Sequence, residues 1–356
     1  MVVSRGHPIA EDQTMLNQAS WGALFAVVGG MFQGVSALLM QRAGSRRRWE
    51  NGWLIFSIAG LLVCPVLAVW LSVPSLVDVA QTTPVPALAL IVLCGFAWGL
   101  GIILFRLGTT RAGLTLGCAI IFGVNISFGA LLPLLAVDSA DVSTSRSAFL
   151  LASVVLGLAG IILLAVAATL RDAEKSRMAG LIDPGAFKAG VLLCLASGAL
   201  LPALNFGFVL GKPLREAALV FGARESVASL AIWAPALAGA FLPNVLYALF
   251  QINRNRTQGN AGVSTAAIRG WLPALAAGVL LYGGISLYGM GASAMGPLGA
   301  LTGWPILIAA GIITAGVAGF MAREWAGAAV GLRALSWSAM ASLAVAAVLA
   351  ALAGQA

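Results

Sequence analysis

The sequence predicts an all-α integral membrane protein of ten transmembrane helices, arranged as two inverted five-helix repeats. Three observations carry that expectation: the scarcity of charge, the number and length of the apolar stretches, and a motif that recurs half a chain later. Of 356 residues, 60% are hydrophobic and 9% are charged. A soluble chain of this size carries roughly a quarter charged residues. The formal net charge of +8 needs no nucleic-acid partner, because membrane proteins retain Lys and Arg in their cytoplasmic loops.

A spanning helix needs about 20 predominantly apolar residues. Ten stretches qualify: 19–41, 52–72, 85–107, 112–137, 147–170, 188–210, 227–250, 270–290, 297–320 and 334–354. They divide the chain into a polar N-terminal tail (1–18), a first five-helix repeat (19–170), a cytoplasmic linker (171–187) and a second five-helix repeat (188–356). The tail lacks the apolar core of a cleavable signal peptide.

Orientation follows from the basic residues. The loops after spans 1, 3, 5, 7 and 9 hold fifteen of the twenty Lys and Arg; the other side holds Arg5, Arg146, Lys212, Arg215 and Arg224. Basic loops stay in the cytoplasm. The expectation is therefore a multi-pass protein of the bacterial-type inner membrane with both termini on the non-cytoplasmic side. Arg106, at the end of the third span in "FAWGLGIILFRLG", is expected on the inner face, its stem snorkelling to the headgroups.

The repeat shows in "WGLGIILFRLGTTRAG" (98–113) set against "LYGGISLYGMGASAMG" (281–296). An offset of 183 residues brings Gly101 onto Gly284, Gly108 onto Gly291 and Gly113 onto Gly296. Both stretches close one span and open the next, spans 3–4 and spans 8–9. Repeats five spans apart face opposite ways across the membrane, the architecture of secondary transporters that rock around a site near the midplane.

Few side chains are equipped for chemistry. Cys64, Cys94, Cys118 and Cys194 lie inside apolar segments without metal-ligand spacing, and the single histidine, His7, lies in the polar tail. No cofactor or metal is expected, and no enzyme, because neither histidine nor paired carboxylates occupy the spans. The 43 glycines concentrate within the spans, where small residues let helices approach closely. Pro133, Pro202, Pro235, Pro243 and Pro305 interrupt spans and kink a helix where neighbours satisfy the freed carbonyl. In "LTGWPILIA" (301–309), Thr302, Trp304 and Pro305 suggest either a kink or a local unwinding.

A hydroxyl-rich solute needs amide or hydroxyl partners and an apolar platform for its C–H face. Gln33, Asn125 and Asn205 supply amides at mid-span depth, with Ser127, Ser197, Asn244, Ser286 and Thr302 as further polar groups. Trp98, Tyr282, Tyr288 and Trp304 supply rings, although Trp and Tyr also belong to the membrane interface. The twelve acidic residues lie near span ends or in loops. Glu216 and Glu225, in "GKPLREAALVFGARESVASL", are the candidates for proton coupling. An exposed helix pair of Lys212 with Glu216 is the plainer alternative.

At these residues the chain resembles the L-rhamnose–proton symporters, a branch of the drug/metabolite transporter superfamily. The stretches that carry the resemblance are "RRRWENGW", "GFAWGLGIILFRLGTTRAGLTLGCAIIFG", "KPLREAAL" and "GFMAREWAGA", and it runs through nearly the whole chain. It implies ten helices in two inverted repeats, and alternating-access transport of a deoxyhexose with protons as partners. Lys212, Glu216, Trp98, Glu324 and Trp304 fall on matching positions. Two departures are visible: Ile102, Ile103, Leu104 and Phe105 stand where the family has polar Asn and Tyr, and "PLGALTGWPIL" keeps Trp304 without the family's acidic residue. The expected activity is secondary active transport of a small polar solute, L-rhamnose or a related sugar. A transporter or exporter of a different metabolite, with or without proton coupling, is the alternative.

Overall fold

A chain crossing a bilayer has no water to satisfy its backbone, so it must be helical unless it closes into a barrel. The computed structural model describes residues 8–44, 49–135, 144–176, 184–257, 265–323 and 325–355, and among these all regular structure is helical. The tail 1–7 with His7, Arg46 to Arg48, the linker residues 177–183 and Glu324 lie outside the described residues.

In chain order the helices are α1 (Pro8–Gly44), α2 (Trp49–Ser72), α3 (Leu76–Thr82), α4 (Val85–Ala112), α5 (Leu114–Leu135) and α6 (Thr144–Ser176). The second half holds α7 (Pro184–Leu200), α8 (Ala203–Leu210), α9 (Lys212–Val220), α10 (Leu230–Thr257), α11 (Thr265–Ala294), α12 (Gly299–Met321) and α13 (Val330–Ala353). Among the described residues, nine helical segments are long and apolar enough to cross a membrane. The fourth expected span corresponds to α5, whose apolar stretch within the described residues is the shorter Leu116–Gly129.

Some boundaries differ from the expectation for local reasons. The first helix begins at Pro8, inside the segment expected as a tail; proline is favoured in the first helical turn. The sixth span is broken between α7 and α8 at Leu201–Pro202. In α2, residues Ile58–Val63 form a π-helical turn just before Pro65, where a missing N–H disrupts the α-helical ladder. Pro305 does not unwind its helix, because α12 runs unbroken through it, and the Thr302 hydroxyl donates to the Leu298 carbonyl at 3.1 Å.

Packing pairs the two halves in a reciprocal way. Helix α1 packs on α11 and α12, while α7 packs on α4 and α5. Helix α4 lies along α10 and α2 along α11; α6 pairs with α13, α2 with α10, and α5 with α12. Glycine makes the closest approaches possible. A methyl group on Gly95 would overlap the Ala236 carbonyl oxygen, and one on Gly239 would overlap the Val92 carbonyl oxygen. Between such helices, close van der Waals packing supplies what the hydrophobic effect cannot supply in lipid.

Candidate functional site

The centre of the bundle is built by a freed carbonyl and two glycines. Pro133 has no N–H to give to Gly129, four residues earlier in α5, so the Gly129 carbonyl lacks a helical partner. The amide of Asn205, fully buried in α8, takes its place. Its Nδ2 donates to Gly129 O at 3.3 Å and to Ala300 O of α12 at 3.2 Å. The Tyr288 hydroxyl of α11 donates to Asn205 Oδ1. Beside it the Trp304 indole N–H of α12 donates to Asn125 Oδ1 of α5 at 3.2 Å. A side chain on Gly129 would overlap the Trp304 ring, so only glycine lets that ring reach its place.

Three aromatic rings cluster around Tyr288, whose hydroxyl meets the amide. Tyr288 meets Trp304 edge to face at 5.4 Å, and Phe208 stacks on Trp233 at 5.3 Å with 18° between planes. Phe208 and Trp233 lie 5.6 and 6.2 Å from Tyr288. Trp233 approaches over Gly289, and its buried indole N–H has no acceptor among the described residues. The arrangement offers amide and hydroxyl groups beside flat apolar faces, the two things a sugar ring requires.

Of the residues nominated from sequence, Asn125, Asn205, Tyr288 and Trp304 are thus brought together, in α5, α8, α11 and α12. Gln33 in α1 lies against Gly284; Trp98 and Tyr282 are buried but stand outside this linked set. Phe208 and Trp233 join this set without having been among the expected residues: nothing in the sequence ranks Trp233 against the other tryptophans, and Phe208 carries no polar atom.

Glu216 and Glu225 sit elsewhere. Their side chains are 57% and 86% exposed, facing Lys212 at 3.8 Å and Arg215 at 3.7 Å. They belong to α9 and the turn after it, and α9 packs on α3 at the end of the bundle where α2 finishes.

A second polar cluster lies at the opposite end, where α2 begins. The Arg106 guanidinium lies over the Trp49 ring at 3.6 Å, with Trp53 at 5.8 Å, and the Tyr247 ring of α10 meets Trp49 at 6.0 Å. An aromatic face attracts a cation electrostatically. The Trp53 indole N–H donates to Asn244 Oδ1 at 3.1 Å, and Asn244 Nδ2 donates to Gly99 O at 3.1 Å and Ala240 O at 2.9 Å. Replacing Arg106 by alanine is expected to cost about 0.5–2 kcal/mol of stability, read as a lowered thermal midpoint in detergent. Lysine at the same place should recover only part of it, because a compact ammonium does not stack on a ring.

Comparison with known proteins gives one family. The sequence matches the family described as L-rhamnose-proton symport protein over residues 15–355. No curated protein matches the chain.

Proposed function

The chain belongs to the L-rhamnose-proton symport protein family, and from that premise we propose that it carries L-rhamnose or a related 6-deoxyhexose across the inner membrane together with protons. The observation that supports the substrate class is the convergence of Asn125, Asn205, Tyr288 and Trp304 from four helices, with Phe208 and Trp233 alongside. In the filled site the solute takes over bonds that these groups make with one another, and the free Trp233 N–H donates to a solute hydroxyl. Gln33, Trp98 and Tyr282 join the pathway in another conformation. Glu216 and Glu225, exposed at the non-cytoplasmic end, are the groups where protons enter. Both termini share that side, and membrane lipid surrounds the bundle.

Transport proceeds by alternating access between two inverted halves of five spans, α5 being the fourth. Two observations support this. First, glycines 183 residues apart make corresponding contacts: Gly95 meets Ala236 of α10 while Gly278 meets Gly60 of α2, and Gly108 meets Cys194 of α7 while Gly291 meets Gly22 of α1. Second, Gly29 meets Gly284 as Leu201 meets Gly101. In that register Gln33, four residues after Gly29, corresponds to Asn205, four after Leu201. The two amides then exchange environments as the halves rock.

Purified protein should gain thermal stability from L-rhamnose over D-mannose, other hexoses, nucleosides and amino acids. Trp304→Phe, which removes the bond to Asn125 but keeps a ring, should weaken that gain by about tenfold in affinity, on the order of one hydrogen bond. Silence from every 6-deoxyhexose would overturn the substrate assignment.

One observation favours a different metabolite. Ile102 to Phe105 replace polar residues of the resembling family, and Phe105 packs on Phe122 at 5.8 Å, an apolar wall. A less hydroxylated solute stabilising the protein while L-rhamnose does not would select that reading.

A further inference from the structure

Among the acidic residues whose side chains are described, Glu50, Asp78, Glu216 and Glu225, Glu50 is the buried one, with 3% of the residue exposed. Its Oε2 is enclosed without a hydrogen-bond partner among the described residues. It sits in the first turn of α2, one turn before Trp53, at the end of the bundle opposite Glu216 and Glu225. Ionisable side chains buried in membrane proteins are rare and are found on ion and proton pathways. A helix N-terminus favours an anion, yet a carboxylate there for that reason alone needs no burial.

The surroundings form a built site. From α4, the Arg106 guanidinium lies over the ring of Trp49, the residue before Glu50, at 3.6 Å, and the Tyr247 ring of α10 meets that same ring at 6.0 Å. Gln251 Nε2 donates to the Tyr247 hydroxyl at 3.1 Å. Arg254, a turn further along α10, has interactions of its own. Helices α1 and α11 bring no other titratable side chain within the described residues near this end; Arg42 and Arg269 have undescribed side chains, and Arg46 to Arg48 lie outside. Through Trp53 and Asn244 the cluster is bonded to Gly99 of α4.

We propose that Glu50 holds the transported proton at the cytoplasmic end of the pathway, with Arg106 as the cation that alternately faces its charged and neutral forms. The proton bonds to a carboxylate oxygen and later returns to cytoplasmic water; no other bond forms or breaks. Neutralising Glu50 removes the attraction that holds Arg106 over Trp49, so α2, α4 and α10 can part at this end. The inference rests on proton coupling in the proposed function but not on the identity of the sugar.

The test has an arm that needs no substrate. In purified protein, acidification should change the fluorescence of Trp49 and Trp53 in a single titration, absent in Glu50→Gln and retained in Glu50→Asp. In proteoliposomes, a one-unit pH gradient can drive about tenfold accumulation of a neutral solute carried with one proton. Glu50→Gln should remove that tenfold when accumulation is expressed relative to exchange of L-rhamnose for L-rhamnose. An unchanged titration in Glu50→Gln, or full accumulation by it, overturns the proposal. Should wild-type protein move no L-rhamnose, the proposed substrate fails and the fluorescence arm alone decides on Glu50. Should Glu50→Gln not fold, a pH-independent signal in wild-type protein or in Glu50→Asp overturns it equally.

Discussion

Asn205→Ala is expected to lose uptake by about 10- to 100-fold while the bundle stays assembled. The substitution removes one buried amide and strands two groups at once, the Gly129 carbonyl and the Tyr288 hydroxyl, while the Ala300 carbonyl loses its second donor. Leaving a buried polar group without a partner costs about 1–3 kcal/mol, and each 1.4 kcal/mol is a factor of ten. Helices α5, α8, α11 and α12 meet at this one side chain, so the cost falls on their relative positions, which a transport cycle must reset at every turnover. Tyr288→Phe should do less, since it strands Asn205 Oδ1 alone. Initial rates of solute uptake into proteoliposomes separate the two, with far-ultraviolet circular dichroism to show that the helices remain. Wild-type rates from Asn205→Ala would remove this residue from the site.

The second large effect is on assembly. Gly95→Val should leave little folded protein, because even a methyl at this position runs into the Ala236 carbonyl oxygen. Backbone cannot move aside as a flexible side chain would. Overpacking a fitted contact costs typically about 1–3 kcal/mol, and here the opposing surface is rigid and mirrored by Gly239 against Val92. Size-exclusion chromatography should show aggregate, with a much lowered thermal midpoint in whatever remains monodisperse. Gly331→Ala is the control: nothing lies within reach of a methyl there, so the folded yield and the thermal midpoint should stay at the wild-type level. A folded, stable Gly95→Val would show that α4 and α10 do not pack as closely as described.

What could be read from sequence follows from which forces act locally. Helices announce themselves because lipid forbids unpaired backbone over some twenty residues, and the glycine motif at 98–113 and 281–296 is legible because close approach tolerates no other side chain. The amides Asn125 and Asn205 and the rings Tyr288 and Trp304 could be nominated because a polar group at mid-span depth has to find a partner. Their convergence could not be foreseen: it depends on Pro133 freeing a carbonyl in α5 that a residue in α8 then satisfies. Phe208 has no polar atom to mark it, and nothing local sets Trp233 apart from the tryptophans that stand elsewhere. Glu50 was hidden for a different reason. It precedes the apolar stretch of α2 and reads as a loop residue, while its burial arises only in the tertiary fold. The ring over which Arg106 lies was likewise not legible, since Trp49 comes from another helix.

The decisive measurement is uptake of labelled L-rhamnose into proteoliposomes under a pH gradient, with and without an ionophore that collapses it. Accumulation of about tenfold per unit of gradient, abolished by the ionophore and reached about 10- to 100-fold more slowly with Asn205→Ala, is the expected result. Entry that stops at equal concentrations whatever the gradient would contradict proton coupling. No entry at all, in vesicles whose protein is stabilised by another solute, would contradict the assignment of the central amides and rings to a 6-deoxyhexose.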